Sequence, residues 1–356
     1  MVSSITIRNF RSFSESKIED FRRVNILVGD NGSGKTALLE ALFLAAGVSP
    51  ELVLRTRTWR GLEGGRVSGT REEVHHALWA DLFHNFQTTK PALVSLKGAG
   101  EENRSVTVRL YRRGQVRALP PSRNKPGAPV KVVPEPSPIE FKWKVQGHPD
   151  ITVTPTFEGE NLVFPPIPES YVRAAFFASN RVAPPSESAN RFSQLSRKFL
   201  EREFIEQFTQ LYANIPDLSV ELSAGTAMLF ARVSGIPEKI PLASASGGMS
   251  KLAGILLAMP EQAGGLILID ELENGLFHRR LPIIWKTLLE FARHYRCQLF
   301  VSTHSAECLD AATRLAEEHP DEFAIIRTFL LEGETQFRRL SGDKFVAAME
   351  EQMEIR

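Results

Sequence analysis

Three groups of polar residues, each at the end of an apolar run, have the types and spacing that phosphate chemistry needs. The first, Gly29-Asp30-Asn31-Gly32-Ser33-Gly34-Lys35-Thr36, lies between the apolar run Val24–Val28 and the helix-like run Ala37–Ala46. Two glycines with four residues between them, then Lys and Thr, form the pattern of a phosphate-cradling loop. A strand that ends in a glycine-rich turn and feeds a helix aims several backbone N–H groups, and the positive helix end, at one point. Asn31, Gly32, Ser33 and Gly34 are therefore expected to surround phosphate oxygens. Lys35 is expected to reach the β- and γ-phosphates, and the Thr36 hydroxyl to ligate Mg²⁺. The ligand this predicts is a nucleoside triphosphate.

The second group, Leu266-Ile267-Leu268-Ile269-Asp270-Glu271, places two carboxylates at the end of a buried-strand pattern, where ligands of α/β sheets gather. Asp270 is expected to hold Mg²⁺ through a water, and Glu271 to polarise the attacking water. Earlier in the chain, Ser246-Gly247-Gly248-Met249 opens an apolar helix. By the same N–H and dipole argument this turn is a second anion site, or else an ordinary helix N-cap. One triphosphate cannot easily occupy two such sites of one molecule, whereas two molecules arranged head-to-tail can share it. In the third group, Leu299-Phe300-Val301-Ser302-Thr303-His304-Ser305 carries His304 beyond an apolar run, placed to hydrogen-bond the γ-phosphate. Arg11 is a further candidate beside the expected pocket.

The elements that must position these groups alternate in the manner of a doubly wound α/β sheet. Strands are predicted at Ser4–Arg8, Val24–Val28, Val172–Ala178, Leu266–Ile269 and Leu299–Ser302. Helices are predicted at Thr36–Ala46, with Gly47 as its stop, about 72–88, Ser193–Leu211 and Leu281–Tyr295, and a hairpin at Val220–Leu222 with Ala227–Val233. About 235 residues separate Lys35 from Asp270. The runs Ala92–Lys97, Ser105–Arg112, Ile139–Val145 and Ile151–Phe157 fill part of that gap with β texture. The stretch Pro120–Pro138 is too rich in proline for a central strand and reads as an exposed loop. The expected organisation is a head formed by 1–88 and 169–356, interrupted by a basic antiparallel β lobe at 89–168.

Composition sets limits. Hydrophobic residues make up 42% and charged residues 24% of 356, with a net charge of +1, so any affinity for nucleic acid must come from local patches. The two cysteines, Cys297 and Cys308, show no CxxC spacing, which argues against a zinc site or a disulfide framework. No signal-peptide core or bilayer-length apolar run is legible, and a cytoplasmic location is expected. Arg104, Arg109, Arg112, Arg113, Arg117, Arg123, Lys125, Lys131, Lys142 and Lys144 stand against only Glu135 and Glu140 in their stretch. That surface suits non-specific DNA backbone contact or a solvated sheet edge. Arg55, Arg57 and Arg60 with Trp59 form a second basic cluster that could approach the triphosphate or DNA.

In order and spacing, Gly29–Thr36, Ser246–Met249, Asp270–Glu271 and His304 resemble the Walker A, signature, Walker B and switch-histidine motifs of ABC-type ATPases. The opening Ile5-Thr6-Ile7-Arg8-Asn9-Phe10-Arg11-Ser12-Phe13 is similar to the start of the RecF/SMC branch. Asp270-Glu271-Leu272-Glu273-Asn274-Gly275-Leu276-Phe277-His278 with Ser302–Ser305 is similar to the OLD (overcoming lysogenisation defect) ATPases. The resemblance implies an ABC-type P-loop head with ATP and Mg²⁺ as ligands. It also implies a sandwich dimer in which Ser246 and Gly248 of one subunit cap the γ-phosphate held by the other, with Asn274 and Gly275 at the D-loop position. Ser179-Asn180-Arg181 stands where a Q-loop Gln is expected, and the long coiled coils and CxxC hook of larger repair ATPases are missing. Only 52 residues follow His304, too few for a Toprim nuclease. The implied function is an ATPase controlling a separate effector or nuclease, in DNA repair or phage defence. The alternatives are the ATPase subunit of a membrane transporter and a non-hydrolysing, nucleotide-gated scaffold.

Overall fold

The computed structural model describes residues 1–47, 78–98, 103–111, 135–136, 139–158, 161–165, 173–179 and 184–351. In chain order its strands are β1 (Val2–Phe10), β2 (Phe13–Glu19), β3 (Val24–Val28), β4 (Ala92–Gly98), β5 (Arg104–Leu110), β6 (Glu135–Pro136), β7 (Ile139–Val145), β8 (Ile151–Val153) and β9 (Thr156–Glu158). They continue with β10 (Asn161–Val163), β11 (Ala174–Phe177), β12 (Asp217–Ser223), β13 (Thr226–Arg232), β14 (Ile240–Pro241), β15 (Leu266–Ile269), β16 (Gln298–Ser302), β17 (Phe323–Leu331) and β18 (Glu334–Ser341). The helices are α1 (Lys35–Gly47), α2 (Pro185–Arg197), α3 (Glu201–Leu211), α4 (Leu242–Ala245), α5 (Gly247–Glu261), α6 (Leu281–His294), α7 (Ala306–Glu318) and α8 (Gly342–Glu350).

The central sheet runs β11-β15-β16-β3-β17-β18, parallel except for β18, which pairs antiparallel with β17. Every residue of β3, β15 and β16 is buried, because both faces of the sheet are covered. The two-residue period of a strand sends alternate side chains into two different cores. Ile26, Val28, Ile267, Ile269, Leu299 and Val301 pack with α5, α6 and α7 on one face. Leu27, Leu266, Leu268 and Phe300 pack with α1 and a second sheet on the other. Each fully buried Leu, Ile or Phe in these layers contributes about 1.5–3 kcal/mol relative to an exposed one.

That second sheet is antiparallel, in the order β2-β1-β4-β5-β7-β8. The β texture predicted for 89–168 is therefore present, and it shares one sheet with the N-terminal hairpin: β1 pairs with β2 on one side and with β4 on the other. Trp143 fastens the sheet to the head by donating its indole N–H to the Leu44 carbonyl of α1 at 2.9 Å. The outward face of β5 and β7 mixes charges, with Arg109 opposite Glu140 and Lys142 paired to Asp150 at 3.2 Å. The remaining basic residues from Arg112 to Lys131, Arg55–Arg60 and most of the proline-rich stretch lie outside the described residues.

Three local expectations change. Residues 78–79 are helical but give way to 3₁₀ turns at Ala80–Leu82 and His84–Phe86, so no continuous helix reaches 88; residues 72–77 of that segment lie outside the described residues. The stretch 193–211 is two helices, broken at Phe199, whose φ of 58° leaves the helical region. The segment 323–341, unassigned in the sequence, supplies β17 and β18, and β17 lies directly beside β3.

Candidate functional site

At the carboxyl ends of β3, β15 and β16 lies a cleft of about 580 Å³. It is lined by Asn31, Gly32, Gly34, Lys35 and Thr36 from the loop, Asp270 and Glu271 after β15, His304 after β16, and Arg11. The topology thus brings together the sequence-predicted loop, carboxylates and histidine. Ser33 is buried beneath the loop, where its hydroxyl is 2.6 Å from that of Thr328 in β17. Gly29 is obligatory for a concrete reason: its φ is +136°, and a Cβ there would stand 2.1 Å from the Thr328 carbonyl. At Gly34, with φ +107°, a Cβ would meet Thr335 at 2.7 Å. The hairpin β17–β18 therefore shapes the loop from below.

Lys35 folds back over the loop, donating to the carbonyls of Gly29 at 2.6 Å and Asp30 at 2.8 Å. Burial holds its ammonium below the ordinary lysine value, against the opposing pull of Asp270, Glu271 and more distant carboxylates. Asp270 accepts from Ser302 Oγ at 2.6 Å and from Thr36 Oγ1 at 3.2 Å. Burial raises the Asp270 carboxyl above the usual carboxylate range, only partly offset by the Ser302 hydrogen bond. A hydroxyl and a buried carboxylate side by side are hard oxygen donors of the kind Mg²⁺ takes, so the residues fit that ion.

Glu271 sits just past the strand with φ +50°. Its Oε2 accepts from Asn274 Nδ2 at 2.5 Å and its Oε1 lies 3.9 Å from His304 Nε2. Its side chain stays one-third exposed, which leaves water access to the carboxylate. Two residues that the sequence reading passed over hold this arrangement. Glu273 accepts the backbone N–H groups of His304 at 2.7 Å and Ser305 at 3.1 Å, fixing the histidine loop. Lys251 donates to the Glu271 carbonyl at 2.7 Å. A charge in a turn or on a helix reads as a solvated face, so the sequence gives neither residue a role.

Arg11 borders the cleft with its guanidinium already engaged: Nη1 donates to Asp81 Oδ2 at 2.7 Å and Nε lies 3.0 Å from Glu40 Oε2. Asn85 and Phe86, both with positive φ, also line the cleft and were not singled out in the sequence. Ser179, at the Q-loop position, is in the lining, while Asn180 and Arg181 lie outside the described residues.

Ser246 and Gly248 are not among the residues that line this cleft. Ser246 caps α5, its Oγ accepting from Met249 N at 3.4 Å. Gly248 packs under the D-loop-like turn, where a Cβ would meet the Gly275 carbonyl at 1.9 Å. Gly247 between them is exposed with open space around its Cα.

The sequence profile of the family described as "AAA domain, putative AbiEii toxin, Type IV TA system" matches residues 24–310. An ATP/GTP phosphatase of Helicobacter pylori is 24% identical over 359 aligned positions, covering 89% of each chain. The Rad50 ATPase of Methanopyrus kandleri is 34% identical over 32% of this chain and 11% of its own length. RecF of Idiomarina loihiensis is 46% identical over 12% of each chain. Among solved structures, a Pyrococcus furiosus Smc head domain with an extended coiled coil, bound to the C-terminal domain of ScpA, shares the fold with a TM-score of 0.53. That match is 13% identical and covers 99% of both chains. The chain belongs to the AAA-domain family whose profile spans its loop, carboxylates and histidine, and is an ABC-type P-loop ATPase of the RecF/SMC branch.

Proposed function

We propose that this protein binds MgATP in the Gly29–Thr36 cleft, closes head-to-tail with a second copy, hydrolyses the ATP with Glu271 as base, and thereby controls a separate effector. The observation that carries the reading is the placement of the signature turn. Ser246 and Gly247 present a helix N-terminus outside the lining of their own cleft, which suits a γ-phosphate held by another subunit.

Within the cleft, Lys35 would exchange its bonds to the Gly29 and Asp30 carbonyls for the β- and γ-phosphate oxygens. Thr36 and Asp270 are the residues that would hold Mg²⁺, which when bound neutralises charge on those oxygens. The Glu271 carboxylate takes a proton from water as the water oxygen bonds to the γ-phosphorus. The bond from that phosphorus to the bridging oxygen breaks, leaving ADP and phosphate. Asn274 fixes one Glu271 oxygen, leaving the other, beside His304, to face the water. His304 would report the γ-phosphate to the neighbouring turn through Glu273. The phosphatase relative, aligned along almost the whole chain, supports the hydrolytic half of the reading. Smc heads described with ScpA bound are consistent with an output through a partner.

The test uses Glu271→Gln, which keeps shape and binding but removes the base. With ATP this variant is expected to elute at twice the 39.8 kDa chain mass by size-exclusion chromatography with light scattering, and to have lost turnover. A monomer with ATP bound would overturn the sandwich; retained turnover would overturn the base assignment.

A further inference from the structure

The turn Glu271–Gly275 is a junction to which three functional elements attach. Asn274 holds the Glu271 carboxylate, and Glu273 holds the histidine loop. The third attachment comes from the signature helix α5 and has two parts. Gly248 approaches the Gly275 carbonyl so closely that no side chain fits between them. Lys251, one turn further on, points its ammonium at the carbonyls of Glu271 at 2.7 Å, Leu272 at 3.4 Å and Asn274 at 3.4 Å.

Lys251 therefore grips the backbone of the residue that carries the base. That backbone is the one needing an outside hold, since Glu271 is a non-glycine residue at φ +50°. A charged donor to a carbonyl makes a stronger bond than the neutral Asn274 N–H that shares the same acceptor. A cavity of about 490 Å³, lined in part by Gly247, Lys251, Asn274 and Gly275, adjoins the junction. Beside that cavity the ammonium is the second connection between helix and turn, next to the close contact of Gly248 with Gly275.

We propose that Lys251 is a positioning residue that makes the setting of the Glu271 carboxylate depend on the signature helix, so that engagement of Ser246 and Gly247 by a partner's nucleotide aligns the base. The proposal rests on the head-to-tail reading above and adds the internal link between a subunit's outward turn and its own cleft. It predicts that ATP can bind and the dimer can form without the link, while hydrolysis fails.

The experiment compares Lys251→Met, which keeps the aliphatic stem, with Lys251→Arg, which keeps a cationic donor. ATP affinity, ATP-dependent mass doubling, single-turnover hydrolysis and melting temperature are measured for both, beside Glu271→Gln. Lys251→Met is expected to keep ATP affinity within about twofold and to form the dimer, yet to hydrolyse about tenfold or more slowly, with Lys251→Arg recovering part of the rate. Hydrolysis by Lys251→Met within about twofold of the unmodified protein, when Glu271→Gln is inactive, overturns the link and leaves the base assignment standing. Equal loss in both Lys251 variants with a lowered melting temperature assigns a packing role and also overturns it. An active Glu271→Gln would instead reject the reading on which the proposal rests.

Discussion

The two glycine turns of this protein, Gly29–Thr36 and Ser246–Gly248, follow the same principle and are built to different degrees. Both put a small-residue turn at the N-terminus of a helix, where N–H groups and the helix dipole favour an anion. The first is closed from below by Thr328 and Thr335, holds a lysine on its own carbonyls, and faces Asp270 across Thr36. The second caps its helix with Ser246, leaves Gly247 open to solvent, and lies outside the lining of its own cleft. Under the proposed head-to-tail reading, the contrast teaches that a complete ATP site would be divided between a finished half and an exposed half that needs a partner.

The largest expected break of that comparison is at Lys35. Lys35→Ala removes the lysine that lines the finished half, and ATP binding by titration calorimetry should disappear; retained micromolar affinity would mean the cleft is not the site. Next come the glycines. Gly29→Ala must place a Cβ at 2.1 Å from a backbone carbonyl at φ +136°, and should cost about 3 kcal/mol in denaturant unfolding. Gly247→Ala meets nothing within 4 Å and should change stability by no more than about 0.5 kcal/mol while weakening ATP-dependent dimerisation. Equal stability costs at the two glycines would erase the distinction between a packed turn and an open one.

A further break concerns Asp270. Its carboxyl titrates higher in the folded protein than in the unfolded chain, chiefly through burial. Its contribution to stability is therefore full below the unfolded value and lost as pH rises through the folded one. At neutral pH the ionised form is a cost. Asp270→Asn should raise the nucleotide-free melting temperature by a few degrees at pH 7, with the gain shrinking toward pH 4, and should abolish Mg²⁺-dependent hydrolysis. A lower melting temperature at pH 7 would show that the Ser302 and Thr36 hydrogen bonds outweigh the desolvation.

The finished half was legible in the sequence because its signals are local. Val24–Val28, Leu266–Ile269 and the Leu299–Ser302 run end in chemically distinctive residues, and their apolar character follows from burial on both sheet faces. The supports of the site were not legible, because each acts across a long sequence distance. Thr328 shapes Gly29 from about three hundred residues away, through a strand whose pairing to β3 no local pattern announces. The sharing of one sheet by β1 and β4 depends likewise on a pairing across more than eighty residues. Among the described residues Glu273 and Lys251 bond to backbone groups, so their residue types alone do not separate them from surface charges. Arg11 shows the opposite error. Its position beside the cleft was foreseen, but not Asp81 and Glu40, which occupy its guanidinium.

The division of the site between two copies is tested most directly by mixing two inactive variants. Lys35→Ala lacks a working cleft but keeps its signature turn. Ser246→Asp keeps the helix cap and the cleft but sets a carboxylate against the partner's γ-phosphate. Alone, each should be inactive. In a head-to-tail dimer of one of each, the Ser246→Asp cleft meets an intact turn, so an equimolar mixture should recover about a quarter of full ATPase activity from random pairing. A mixture no more active than its separate components would contradict the shared site.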